Sequence, residues 1–247
     1  MVRSPEPDSP SLGYNLPGAP SQSQDTGIQN LPAIAKRFNQ EYQGPVLRAT
    51  GGSGSHGHHP TMEIGAVTSR VRQPVLGDGQ TPKKQHCLDL GCGIGFLVYP
   101  WREWGAFFHG QDISTVARDA LVARGPQLNS MLFKGVVLKP AHQLDDYDPA
   151  FFDLAIATGL SCYYPPAYWE QVLTQVKRVL KPGQPFVFDV VNGELELAEN
   201  WAILETYLGA EVFLESLGHW QTLIRAAGAK IVKQKAGDLF HLFKIVW

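Results

Sequence analysis

The chain reads as an α/β protein, with a mostly parallel sheet covered by helices on both faces. Three observations carry this reading. From residue 86 onward, short apolar runs alternate with longer amphipathic stretches, so strands and helices take turns. A glycine-rich junction, Gly91-Cys92-Gly93-Ile94-Gly95, follows the first of those runs. The last two apolar runs are linked only by Ala236-Gly237-Asp238, which suits an antiparallel pair and forbids a parallel crossover.

The elements follow in order. Residues 1–30 hold five prolines and five serines with almost no aliphatic run, the composition of a disordered tail. Residues 31–85 form an N-terminal cap segment. Within it, Leu31, Ile34, Ala35 and Phe38 have helical spacing. Residues 51–60, GGSGSHGHHP, make a loop with four glycines, and 62–76 is a second helix or irregular packing. The core runs from 86 to 247. Its strands are 86–90, 106–112, 131–137, 152–158, 185–191, 229–235 and 239–247. Its helices are 95–104, 114–124 with Ser114 as N-cap, 166–180 and 219–227. The helix over 166–180 is stopped by Lys181-Pro182-Gly183. Residues 191–217 are too long for a simple connection, and helix is expected there over the sheet's carboxyl edge, as a cover for an acceptor site.

Composition narrows the function. Lys+Arg is 21 and Asp+Glu is 23, a net charge of −2, so the basic balance for nucleic acid is missing. Three cysteines, Cys87, Cys92 and Cys162, are too few and odd in number for a disulfide scaffold and fit a reducing compartment. No apolar run approaches the ~18 residues of a membrane span. The N-terminus lacks an apolar signal core and carries acids early, so a cytoplasmic location is expected. Oligomeric state is not readable.

The chemistry concentrates in two places. In Leu88-Asp89-Leu90-Gly91-Cys92-Gly93-Ile94-Gly95, glycines after a strand let the backbone turn tightly and approach a ligand. The spacing is G-x-G-x-G rather than the G-x-G-x-x-G of nucleotide dehydrogenases. Asp89 just before it would repel a pyrophosphate and suits an ammonium. The second place is His109-Gly110-Gln111-Asp112-Ile113-Ser114. There Asp112 points across the carboxyl edge, and its two oxygens can accept both hydroxyls of a ribose.

With FDLAIATGL and VKRVLKPGQPFVF further on, these motifs occur in an order and spacing that resembles the class I S-adenosylmethionine-dependent methyltransferases, in their small-molecule, type 11-like branch. The likeness covers residues 86–191 well and 217–247 in outline. It implies a Rossmann-like methyltransferase fold: a doubly wound, mostly parallel seven-stranded sheet with only the last-inserted strand antiparallel. It implies S-adenosyl-L-methionine as cofactor and methyl transfer to a small-molecule acceptor on oxygen or nitrogen. By the resemblance, Asp89, Gly91, Cys92 and Gly93 hold the methionine part and Gly95 opens the helix beside it. Asp112 takes the ribose, Ile113 packs on the adenine, and the backbone at Thr158 and Gly159 receives the cofactor's ammonium. Where the family often has an acid for the adenine amino group, this chain reads Lys139-Pro140-Ala141-His142-Gln143, so His142 or Gln143 takes that place.

Methyl transfer needs alignment and exclusion of water, and a base only when the nucleophile must lose a proton. His56, in the glycine-rich loop, is the candidate base; a polar flexible loop is the alternative. His56, His58 and His59 have no ligand partner at metal spacing except Glu63, so no metal is expected. Tyr163 and Tyr164, after the fourth strand, and Trp201 and Tyr207, in the 191–217 segment, are the expected acceptor-pocket residues. A nicotinamide-dependent reductase on a similar sheet is the competing enzyme class, weakened by the glycine spacing and by the lack of a Tyr-x-x-x-Lys pair. A non-catalytic binder of the same cofactor is the non-enzymatic alternative.

Overall fold

A computed structural model of the chain describes residues 26–43, 83–98 and 101–247. Seven strands form one sheet: β1 (His86–Leu90), β2 (Phe107–Asp112), β3 (Phe133–Leu138), β4 (Leu154–Ala157), β5 (Phe186–Val191), β6 (Lys230–Ala236) and β7 (Phe240–Val246). Their order is β3-β2-β1-β4-β5-β7-β6. β1 pairs in parallel with both β2 and β4, β2 with β3, and β4 with β5. β7 is inserted between β5 and β6 and runs antiparallel to both. The expected fold class is the one observed. Strand order reverses beside β1, and that switch point opens a crevice at the carboxyl edge, where open α/β sheets bind ligands.

Helices α1 (Leu31–Gln43), α2 (Gly95–Val98), α3 (Trp101–Trp104), α4 (Thr115–Asn129), α5 (Pro166–Val179), α6 (Glu196–Tyr207) and α7 (Leu217–Ala226) complete the described chain. The centre of the sheet is buried on both faces, with all residues of β4 and β5 buried, while edge strand β6 is exposed. On one face Trp169, Phe186, Phe188, Trp220 and Phe243 join one apolar cluster. On the other, Phe96, Trp101, Trp104, Phe108 and Phe133 form a second.

Several expected boundaries shift. Of the helix expected over 95–104, Gly95–Val98 and Trp101–Trp104 are helical, and 99–100 lie outside the described residues. Ser114 does cap α4, accepting from the Ala117 N–H at 3.1 Å. The helix then continues past 124 and through Pro126 to Asn129. Tertiary packing outweighs the Gly-Pro break here: Gly125 lies so close to Phe133 of β3 that a Cβ would sit 2.6 Å from its ring. β3 starts at Phe133 rather than 131, because the Asn129 side chain accepts from the N–H groups of Met131 and Leu132, both at 3.1 Å, and holds them in a turn. The chain expected as tail is folded at its end, where Ile28–Asn30 form a 3₁₀ turn and Asn30 Nδ2 donates to Glu211 at 2.8 Å. The remainder of 1–30, the glycine-histidine loop and the segment 62–76 lie outside the described residues.

At the amino edge of the sheet, His86 Nδ1 and His109 Nε2 are 2.9 Å apart. Burial, then the neighbouring His86 and Lys134, lower His109 to about 4 from the ordinary 6.5. The unfolded chain therefore takes up this proton first. The stabilisation is complete above pH 6.5 and is lost as pH falls from there toward 4. Allowing for solvent screening of a partly exposed ring, the loss is about 1–2 kcal/mol. Urea denaturation at pH 7 and pH 4.5 should show a smaller drop for His109→Gln than for the native chain. An equal drop in both would remove His109 as the cause.

Candidate functional site

The site is built at the carboxyl ends of β1, β2 and β4. Gly91 and Gly93 follow β1 with φ of 62° and 46°, the left-handed region that favours glycine. A Cβ on Gly91 would lie 2.8 Å from Leu160 Cδ1, and one on Gly93 would collide with the Tyr42 hydroxyl. The N–H groups of Gly91 and Cys92 both donate to the Gln111 carbonyl, at 2.9 and 3.2 Å, which ties the loop to the end of β2. Gly95 opens α2, as expected.

Asp112 completes this bracket. Its Oδ2 accepts the Gly93 N–H and its Oδ1 the Ser114 N–H, each at 2.7 Å. Each oxygen keeps a further lone pair for a ligand hydroxyl. Burial raises the Asp112 carboxyl's pKa, opposed by the N–H groups it accepts. Asp89 is 1% exposed, and its Oδ2 has no hydrogen-bond partner. Burial, and then the nearby Asp112, push its carboxyl well above the usual range. Two buried carboxyls beside a glycine cradle call for a ligand that brings hydrogen-bond donors or positive charge.

The loop after β3 is pinned to β2, where Gln111 Nε2 donates to the carbonyls of Pro140 at 2.7 Å and Gln143 at 3.0 Å. Ile113 packs at the edge of the core. The His142 ring meets Tyr168 edge-on at 5.0 Å, and its Nδ1 is buried without a partner. Burial lowers its pKa, with Asp145 opposing. After β4, Gly159 has a φ of 66°, and its N–H donates to Asp189 Oδ1 at 2.7 Å. The Gly159 N–H is therefore committed to Asp189.

Of the aromatic candidates, Tyr163 and Trp201 come together, with ring centroids 6.4 Å apart. Tyr164 is core packing: it is 2% exposed and stacks on Tyr168 at 4.1 Å. Tyr207 is a correction. It is 86% exposed on the outer side of α6, not packed inward as a wall residue would be. Cys162 is buried, and burial drives its thiol far above the usual range, so it is no nucleophile. His56 lies outside the described residues.

Sequence reasoning missed the polar side of α1. Asn39 Oδ1 accepts from Ser114 Oγ at 2.8 Å and from the Val116 N–H at 3.2 Å, docking α1 on the start of α4. Tyr42 covers Gly93. Arg37 forms ion pairs with Glu41 and with Glu205 of α6. Arg37 and Glu41 were the available signal, since i,i+4 spacing puts them on one face of the helix.

The comparisons with known proteins agree with this geometry. Residues 88–188 match the family described as a methyltransferase domain. A sterol 4-C-methyltransferase from Caenorhabditis elegans is 30% identical over 109 residues, which is 43% of this chain and 31% of that protein. The chain thus aligns with less than a third of that relative's length. The crystal structure of magnesium protoporphyrin IX methyltransferase from Synechocystis PCC 6803 with bound SAH superposes with a TM-score of 0.64 at 13% identity, covering 88% of this chain and 99% of that one. A Burkholderia thailandensis 1,6-didemethyltoxoflavin-N1-methyltransferase superposes with a TM-score of 0.61 at 15% identity, covering 88% of each. Over residues 88–188 the chain is thus similar to a methyltransferase domain, and its fold is that of S-adenosylmethionine-dependent methyltransferases. The partnerless Asp89 oxygen and the Gly91–Gly93 cradle that a Cβ would fill suit its cofactor, S-adenosylmethionine.

Proposed function

We propose that the protein transfers a methyl group from S-adenosylmethionine to a small-molecule acceptor, on oxygen or nitrogen. The observation that carries this reading is the Asp112 bracket, a buried carboxylate spanning the glycine loop and the start of α4 at the switch point of the sheet. In this reading Asp89, Gly91, Cys92 and Gly93 hold the methionine part, with Gly95 beside them. Asp112 binds the ribose, Ile113 packs on the adenine, and His142 lies at its amino group. The Thr158 and Gly159 carbonyls take the ammonium. Tyr163 and Trp201 wall the acceptor side, and His56 is the base where one is needed.

The cofactor, when bound, supplies a methyl group already activated by a positive sulfur. What remains for the chain is to orient that group and keep water out. α1 contributes by lying over the glycine loop. The sterol, porphyrin and toxoflavin-type substrates named for the relatives support a small-molecule acceptor. Among the described residues, no helix is long and apolar enough to cross a membrane. Isothermal titration tests the cofactor: heat is expected with S-adenosylmethionine and S-adenosylhomocysteine and none with NADPH. The reverse pattern would restore the reductase reading. S-adenosylhomocysteine release across a metabolite library then separates an active enzyme from a non-catalytic binder.

A further inference from the structure

We propose that Glu205 is the acceptor-recognition carboxylate and that the acceptor carries a basic nitrogen on an apolar or aromatic body; this rests on the methyl-transfer reading above. Glu205 is 8% exposed. Its Oε2 accepts from Arg37 Nη2 and from the Tyr163 hydroxyl, both at 3.2 Å. Among the described residues no donor is found on Oε1. One oxygen is anchored, and the other is left for a ligand to meet.

The position is unusual for a carboxylate. α6 turns Ala198, Trp201 and Glu205 inward, at i, i+3 and i+7, while Ile203, Leu204 and Tyr207 face out. Packing alone would put an apolar residue at 205. An ion pair buried merely as a tether is commonly no better than an apolar contact. A binding role explains what packing does not.

Charge and surroundings set the ligand class. Arg37 is one cation against two carboxylates, Glu41 and Glu205, so among the described residues the ion-paired cluster is net negative. Aromatic rings stand beside it: Phe38 meets Tyr163 edge-on at 5.1 Å, and Trp201 lies beyond. Carboxylate and aromatic faces together favour a cation with an apolar body. The cluster is also close to the methyl donor's loop. Tyr42, which covers Gly93, is one turn along α1 from Phe38, with the two rings 6.2 Å apart. In the reaction, the amine's lone pair forms the new N–C bond and the pair of the broken S–C bond stays on sulfur. The lone pair is freed when the bound ammonium first gives a proton to Oε1, and the product leaves as the methylated ammonium.

Binding to the protein loaded with S-adenosylhomocysteine tests this without a known acceptor. Benzylamine, benzyl alcohol and benzoate serve as probes of matched shape. Benzylamine should bind best, and Glu205→Gln should weaken it by about ten-fold while leaving S-adenosylhomocysteine affinity unchanged. If Glu205→Gln fails to fold, Tyr163→Phe keeps the ring and removes one anchor, and should reduce the preference for the amine over the alcohol. Equal binding of amine and alcohol by the native protein overturns the proposal. So does a Glu205→Gln protein that loses cofactor affinity and all three probes alike, the signature of a tether. A native protein that binds no S-adenosylhomocysteine overturns the methyl-transfer reading itself, and this inference with it.

Discussion

Asp112→Ala is expected to weaken S-adenosylmethionine binding by about ten-fold or more, since hydrogen bonds to a charged group contribute roughly 1.5–3 kcal/mol. Two effects add. The ribose hydroxyls lose their acceptor, and the Gly93 and Ser114 N–H groups lose the carboxylate that sets the loop. Asp112→Asn retains one carbonyl acceptor and should fall between the two. Titration calorimetry measures the affinity, with circular dichroism to verify the fold. A folded Asp112→Ala protein with native affinity would end the ribose assignment. Because burial raises this carboxyl's pKa, affinity should begin to fall on acidification at a pH above the usual carboxylate range.

Trp169→Ala should lower stability by about 3–5 kcal/mol, as large aromatic truncations in a closed core do. Trp169 is fully buried. Its ring stacks on Phe188 at 5.4 Å and meets Trp220 edge-on at 5.6 Å, so α5, β5 and α7 all lose a shared contact. Its indole N–H donates to the Ser161 carbonyl at 3.2 Å, in the turn that carries Tyr163. Trp169→Phe preserves most of the packing and loses that bond, so its loss should be much smaller than that of the alanine variant. Urea denaturation followed by tryptophan fluorescence and circular dichroism reads both. A drop below about 1 kcal/mol for the alanine variant would mean that the core closes over the hole.

The parts of the fold legible in sequence are those with a local cause. The central strands appear as short apolar runs, because strands buried on both faces need nearly every position apolar, whereas edge strand β6 is exposed and carries lysines. The turn after β1 is legible because the positive φ found at Gly91 and Gly93 strongly favours glycine. Boundaries set by packing were less accessible. Gly125-Pro126 looks like a helix end until Phe133 of β3 is placed against it. The start of β3 depends on where the Asn129 side chain turns.

The acceptor side divides in the same way. The length of 191–217 made helix expected there, and α6 is found within it. It did not say which face is inward. Tyr207 looks like a wall residue and is exposed, while Glu205 looks like a surface residue and is buried. By itself, then, the sequence determined the sheet, the glycine loop and Asp112, since backbone conformation and burial are written in neighbouring residues. The tertiary structure alone decided that Arg37, Tyr163 and Glu205 meet. They stand on three separate elements, up to 168 positions apart. Only the packing of α1 and α6 over the carboxyl edge brings one guanidinium and one phenol to the same carboxylate oxygen.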